Sequence, residues 1–454
     1  MSTTRRHFFT QLALAGAATA ASCRGRAPMR SPALASQARP TACAEPAPRV
    51  GIDVLRSGGT GASGTSSTRF AQLAGFCDGI PSVSEGEHAA RIERGRKAAA
   101  ERGCDGMLLE AGVSQRYFTG LRWGLSERPL LLWIPSSGPP VWICPAFEEG
   151  TLRERLPASA TVRVWEEHER PYSQVAGLLP ERGRRRAKVA VDPMMRSFVV
   201  AGLQLASRGT RWDTRAGAVE ACRIVKTDLE LARLRRANEA TKAALKAAAS
   251  HLTLGMTQAA FRELVHEAQQ VAGLGGVWSL VLFGPNAAFP HGTEEDRAIR
   301  EGELVLVDTG GDLHGYQSDI SRTWAWGDPD DAQRRAWDTV HRAQTAAMAE
   351  IRPGSACGDA DKAARKVMAE AGYGVNYEHF THRLGHGIGM QGHEAPYLVR
   401  DSERKLRVGM TTSNEPGIYV PGAFGVRIED IVAVTESGNE VFGARSSALD
   451  APFG

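Results

Sequence analysis

The sequence predicts two folded units in series: an α/β domain over residues 86–222, then an α+β domain over 223–450 with internal pseudo-two-fold symmetry. Three observations carry this prediction. In the first region helical runs alternate with short apolar runs, the pattern of a mostly buried sheet covered by helices. In the second, a helix–helix–hairpin order occurs twice. Acidic residues also stand at matching places in the two hairpins, inside segments otherwise built of apolar residues.

A chain of 454 residues is long enough for two or three domains, each with its own core. Hydrophobic content of 42% and charged content of 23% are ordinary for a soluble globular protein. The formal net charge of +4 belongs to the N-terminal leader. Arg5, Arg6, Arg24 and Arg26 are the only charged residues among the first 26, and taking those four from 55 basic residues leaves 51 against 51 acidic ones. A neutral mature chain gives no reason to expect nucleic acid or an anionic membrane as partner. The seven cysteines, at 23, 43, 77, 104, 144, 222 and 357, form no CxxC pair. An odd count with wide gaps argues against a disulfide framework and against a zinc ribbon.

The leader reads "TTRRHFF" followed by "QLALAGAATAASC". Its apolar run is too short to span a bilayer and follows two arginines, which is a secretory pattern. Arg5 and Arg6 before Phe8 and Phe9 resemble the twin-arginine export signal, so residues 1–23 are expected to be a signal peptide and the protein periplasmic or extracellular. The "AASC" ending at Cys23 is a weak lipoprotein box, with Ala20 in place of the usual leucine, and lipid anchoring there is the alternative. No transmembrane segment is expected. Residues 24–85, rich in Ala, Pro, Ser, Gly and Thr, read as a flexible spacer. Within them "GTGASG" fits GxGxxG, but nothing after it reads as a βαβ unit, so no dinucleotide site is expected.

The first domain opens on the helical "EHAARIERGRKAAAERG" and continues through the apolar runs "GMLLEA", "PLLLWIP", "PVWICP", "TVRVWEE" and "AKVAVDP". The second opens at Thr227, whose spacing to Glu230 is that of a capping box. Helices expected at 228–252 and 258–272 precede the strands "ELVLVDTG" and "GYQSDISRTWAW". Helices expected at 330–351 and 358–371 precede "TTSNEPGIYV" and "GVRIEDIVAV". Asp308 and Asp319 lie in the first hairpin, Glu415 and Glu429 in the second, at separations of 107 and 110 residues. A pseudo-two-fold axis would bring all four together.

Acids inside apolar strands need a reason, because a buried ionised carboxylate must be paired, protonated or bound to metal. "HRLGHGIGMQGHEAP", residues 382–396, adds three of the chain's twelve histidines, His382, His386 and His393. Glycines at 385, 387 and 389 and Pro396 rule out a long helix, and no histidine follows His393 by four, so a zincin helix is excluded. Four carboxylates and an imidazole make an oxygen-rich site for two divalent cations, suited to Mn²⁺, Co²⁺, Fe²⁺ or Zn²⁺. The glycines would let the histidine backbone approach such a site closely.

The series Asp308, Asp319, His386, Glu415, Glu429 resembles the pita-bread metallopeptidases, the family of aminopeptidase P, prolidase and methionine aminopeptidase. The resemblance covers about 86–445, since "VSQRYFTGL" and its surroundings are similar to the creatinase-type N-terminal domain, which favours the Xaa-Pro-specific branch. Creatinase itself shares the fold but lacks this acid set. The resemblance implies that Asp308 chelates one metal, that Asp319 and Glu429 bridge both, and that His386 and Glu415 complete the other. It implies Mn²⁺ first among the metals and makes a homodimer an expected assembly. "NAAFPHG" sets His291 seventeen residues before Asp308, matching a substrate-binding histidine; His382 and His393 match two more, and Arg427 matches an arginine two before the last ligand. The implied reaction is hydrolysis of an N-terminal Xaa-Pro bond by a water shared between the cations. Catalytic roles then fall to Glu415 as proton shuttle, His393 as oxyanion donor, and His291 and His382 in the substrate pocket. The alternative is a catalytically silent protein of the same fold that binds peptides without cutting them.

Overall fold

A computed structural model describes residues 68–179, 187–215 and 217–454. The expected signal peptide and most of the spacer lie outside the described residues. Where the spacer was expected to run to 85, residues 68–84 are packed instead. A short 3-10 helix, Thr68–Leu73, buries Phe70 and Leu73, and Cys77 follows them into the same core. Arg236 donates to the Phe76 carbonyl, and Arg233 to those of Pro81 and Ser82. The composition of this stretch is that of a linker, but its few apolar side chains have a place to go.

The first domain begins with α1 (Glu85–Ala100), held at its start by a Ser84–Glu87 capping box. Then follow β1 (Gly106–Glu110), α2 (Val113–Thr119), β2 (Leu131–Pro135), β3 (Val141–Pro145), α3 (Glu149–Arg153), β4 (Thr161–Trp165), α4 (Pro171–Ala176), β5 (Lys188–Val191), α5 (Ser197–Ala206), β6 (Arg211–Asp213) and α6 (Ala218–Arg223). The strands form one sheet in the order β4-β3-β2-β1-β5-β6. The pairs β1–β2 and β2–β3 are antiparallel and the other three are parallel. Both faces are covered: Met107 and Leu109 point into one core, and Leu108 between them points into another. That is why the strands read as near-continuous apolar runs.

The second domain repeats a unit. Its first half is α7 (Asp228–Ala249), α8 (Gln258–Val271), β7 (Gly275–Phe283), β8 (Glu303–Leu313), β9 (Tyr316–Gln317) and β10 (Ile320–Trp326). Its second half is α9 (Asp331–Glu350), α10 (Cys357–Glu370), β11 (Gly385–Gly387), β12 (Glu394–Leu398), β13 (Thr411–Asn414), β14 (Gly417–Val420), β15 (Phe424–Arg427), β16 (Asp430–Thr435) and β17 (Gly438–Val441). The four helices fall where their caps and periodicity put them; Thr227 and Asp330 both head capping boxes. Each half packs its helix pair on its own strands, Leu245 and Phe261 against Val305 and Val307 in one, Trp337 and Met368 against Val426 and Val432 in the other. The sheets run β10-β8-β7 and β12-β11-β13-β16-β17, with β14–β15 as a separate ribbon.

The halves meet at β10 and the turn between β15 and β16. Glu429 N–H donates to Ser321 O at 3.0 Å. Thr323 Oγ1 donates to Arg427 O at 2.9 Å, and Arg427 N–H donates back to it at 3.1 Å. The first domain also joins this core: Tyr316, Ile388 and Met390 share a cluster with Tyr117 and Phe118.

Candidate metal centre and substrate cavity

The five expected metal ligands converge. Asp308 sits mid-β8, Asp319 and Glu429 just before β10 and β16, His386 on β11, and Glu415 just after β13. Their ligand atoms form three overlapping groups, each within 4.8 Å: Asp308 with Asp319 and Glu429, His386 with Glu415 and Glu429, and Asp319 with His386 and His393. His386 Nε2 lies 3.2 Å from Glu415 Oε1 and 3.7 Å from Asp319 Oδ2. Its Nδ1 faces the Gly387 carbonyl at 3.1 Å, and a carbonyl only accepts, so Nδ1 carries a proton; Nε2–H donates to Glu415, and Nε2 would present its lone pair only to a cation that takes that proton's place. The glycines around it are steric necessities. A Cβ at Gly385 would stand 2.1 Å from Ser413 O, and one at Gly387 would stand 2.3 Å from Ala395 O. Any side chain there would push β11 off its neighbours and carry His386 out of the cluster.

The charge balance fits cations. Burial, then the charges of the neighbouring carboxylates, push Asp319 and Glu429 well above the usual carboxylate range. Burial also acts to raise Glu415, but the hydrogen bond and charge of His386 outweigh it and hold Glu415 down at about 2. One oxygen of each of Asp308, Asp319 and Glu429 is buried without a hydrogen-bond donor. Buried acceptors of this kind are costly unless a positive charge meets them, and a set of acids with one imidazole is a donor set for hard or borderline divalent ions. Asp319, His386 and Glu429 each belong to two of the three groups, so the ligand atoms extend over more than one cluster and leave room for a pair of ions.

A cavity of about 740 Å³ opens on this cluster, and His291, His382 and His393 line it with the four acids and His386. His291 is exposed on the loop that follows the short 3-10 helix Gly284–Ala288. His393 stacks on His386 with ring centroids 3.7 Å apart. Burial and the neighbouring His386 depress its pKa to about 4, so the ring is neutral at pH 7. Burial likewise holds His382 down at about 4. His382 Nδ1 donates to Arg383 O at 2.8 Å, so Nε2, 2.8 Å from Tyr419 Oη, accepts from that hydroxyl. Tyr419 in turn accepts from Arg427 Nη1 at 2.8 Å.

Arg427, matched to a substrate-binding arginine, lines the same cavity but is only 3% exposed, with its donors engaged inside the protein. Nη2 reaches Asp308 Oδ2 at 2.8 Å, Nε reaches Ser321 Oγ at 2.8 Å, and Nη1 also reaches Pro290 O at 3.2 Å. From β15 it lies behind Asp308 and orients that carboxylate.

Comparison with known proteins agrees with this geometry. Residues 232–436 match metallopeptidase family M24, and residues 91–225 match the creatinase/prolidase N-terminal domain. The probable dipeptidase PepE of Mycobacterium tuberculosis is 36% identical over 355 residues, covering 77% of this chain and 93% of that protein. The chain belongs to metallopeptidase family M24. The crystal structure of dipeptidase PepE from Mycobacterium ulcerans superposes with a TM-score of 0.75 at 34% identity, over 81% of this chain and 98% of that one. The Xaa-Pro dipeptidase from Bacillus anthracis gives a TM-score of 0.67 at 30% identity, over 78% and 97%.

In this M24 chain several supporting residues carry no signal in the sequence. Ser321 Oγ donates to Glu429 Oε2 and Ser413 Oγ to Glu415 Oε1, both at 2.9 Å. Beneath Glu429, the buried Asp430 accepts from Arg322 at 2.7 Å and Lys242 at 2.6 Å, and Arg322 also donates to the Glu429 carbonyl at 2.7 Å. Glu429 marks itself as an acid in an apolar run. A serine or an arginine in a strand does not, and Ser321 lies 108 residues from its partner.

Proposed function

We propose that this M24 chain is a dinuclear metal-dependent peptidase that cuts the bond between an N-terminal residue and a following proline. The observation that carries this reading is the overlap of three ligand groups on one histidine-lined cavity. Asp308, with Asp319 and Glu429, would hold one divalent ion, and His386 and Glu415, with the same two acids, the second. Mn²⁺ is the first expectation, with Co²⁺, Fe²⁺ and Zn²⁺ as alternatives. When bound, such ions lower the pKa of a water and polarise a carbonyl.

The remaining work belongs to the protein's own groups. Glu415 accepts a proton from the attacking water and delivers it to the departing nitrogen. In an Xaa-Pro bond that nitrogen is tertiary and leaves only when protonated. Arg383 Nη2 faces His393 Nδ1 at 3.5 Å, which favours the tautomer whose Nε2–H serves as oxyanion donor. His382, with both ring nitrogens engaged, supplies a rigid wall rather than a donor, and His291 lines the same cavity from the loop after the 3-10 helix Gly284–Ala288. Rigid walls suit a pyrrolidine ring and give looser side chains less contact. Support for proline also comes from the relatives, one of which is titled an Xaa-Pro dipeptidase. Purified protein loaded with Mn²⁺ is expected to cleave Ala-Pro and to leave Ala-Ala intact. Equal cleavage of both would remove the proline specificity, and cleavage of neither would favour a silent peptide-binding protein.

We also infer export, from Arg5 and Arg6 ahead of the short apolar run. No helix among the described residues is long and apolar enough to cross a membrane.

A further inference from the structure

Helix α7 buries Leu234, Ala237, Ala240, Ala244 and Leu245, as a packed helix does, yet Asn238 and Thr241 stand among them, both 0% exposed. Neither residue type favours a helix interior, and a buried amide or hydroxyl has to be partnered. Each uses a donor on its own helix. Asn238 Nδ2 donates to Leu234 O at 2.8 Å, and Thr241 Oγ1 donates to Ala237 O at 2.9 Å. These bonds to the carbonyl four residues back leave Asn238 Oδ1 and Thr241 Oγ1 as acceptors for another element.

Both acceptors are met by the segment that carries Asp319. The Asp319 N–H donates to Asn238 Oδ1 at 3.2 Å. Ser318 Oγ lies 2.6 Å from Thr241 Oγ1, and because the threonine proton is given to Ala237, the serine is the donor. Ser318 Oγ accepts in turn from Gly311 N–H at 2.9 Å, which ties the segment to β8 beyond Asp308. Earlier on the same helix, Glu230 accepts from Tyr316 Oη at 2.8 Å. One oxygen of the Asp319 carboxylate has no donor, so the backbone behind it sets its aim.

We infer that Asn238 and Thr241 are positioning residues for the metal centre: they hold the Ser318–Asp319 backbone so that the Asp319 carboxylate reaches both ions. The inference rests on the two-ion reading proposed above. A shared ligand is the one whose aim matters most, since a small rotation that still satisfies one cation loses the other. Removing either acceptor leaves a buried donor unpaired, and the segment must shift to hydrate it. The second ion is then bound more weakly while the first is kept.

Calorimetric titration of chelator-stripped protein with Mn²⁺ tests this in Asn238→Leu and Thr241→Val, which keep the side-chain shape and remove the acceptor. The Kd of the weaker equivalent should rise about 10–100-fold in each, the usual effect of losing an outer partner of a metal ligand. Thr241→Ser, which keeps the hydroxyl, should match the wild type. Val265→Ala in the apolar core of α8 is the control: it should lower the denaturation midpoint without moving either Kd, which separates positioning from a loss of stability. Wild-type Kd values in both acceptor variants would overturn the assignment and leave the two-ion reading standing. So would a Val265→Ala protein that loses the second ion as readily as they do. If the wild type binds no second ion, the two-ion reading falls and takes this inference with it.

Discussion

His393 and His386 stack on one another, yet their surroundings divide their work. His386 is buried, with one nitrogen committed to the Gly387 carbonyl and the other aimed at Glu415 and Asp319. His393 is exposed to the cavity, and its Nδ1 faces Arg383 rather than a carbonyl. His393→Ala is therefore expected to leave metal content unchanged while lowering kcat about 10²–10³-fold, as removal of an oxyanion donor does. Atomic absorption beside steady-state kinetics would check this; metal loss equal to that of His386→Ala would show the division to be wrong. At this scale the sequence revealed the residues whose presence is costly. An acid in "VLVDTG" or three histidines on a glycine-rich bend demand an explanation. Tyr419 demands none, although its hydroxyl joins His382 to Arg427, because a tyrosine suits any half-buried strand. The contacts of Arg427 to Asp308 and Ser321 were hidden for a related reason: residue type and spacing do not say which way five donors will point.

Among elements, the joint between β10 and β16 sets the geometry of the site. Arg322 and Asp430, both 0% exposed, form an ion pair there with Lys242, and Gln344 Nε2 reaches the other Asp430 oxygen at 3.0 Å. Removing one partner leaves buried charge uncompensated, so Asp430→Asn is expected to destabilise the protein by about 3–5 kcal/mol. Chemical denaturation would measure it, and a loss below about 1 kcal/mol would mean the cluster relaxes or hydrates. Helix positions were legible because capping boxes and a 3.6-residue period are local signals. Strand β7 was not, since "GGVWSLVLF" opens on two glycines and leaves its first half largely exposed, so no regular alternation marks it. Likewise β11 is three residues long and is defined by the backbone of β12 and β13 rather than by its own propensity.

For the whole molecule, two domains and the repeat within the second could be read from the sequence, but not the way the domains share a core. Arg91 of α1 donates to Tyr316 Oη at 2.6 Å, and that hydroxyl donates to Glu230 of α7 at 2.8 Å, contacts between residues 225 and 86 positions apart that no local pattern foretells. The packed segment 68–84 was hidden for the same reason: linker-like composition says little about what a few apolar residues meet. At this scale export is testable too. Arg5→Lys with Arg6→Lys is expected to retain the protein in the cytoplasm, assayed by fractionation, whereas unchanged export would point to the general secretory path. The central claim is that Asp308, Asp319, His386, Glu415 and Glu429 hold two divalent ions. Calorimetric titration of chelator-stripped protein with Mn²⁺ tests it most directly. Two equivalents should bind to the wild type and fewer to Glu429→Gln, which keeps the shape of a shared ligand but not its charge. Two equivalents in both proteins, or none in the wild type, would contradict the account.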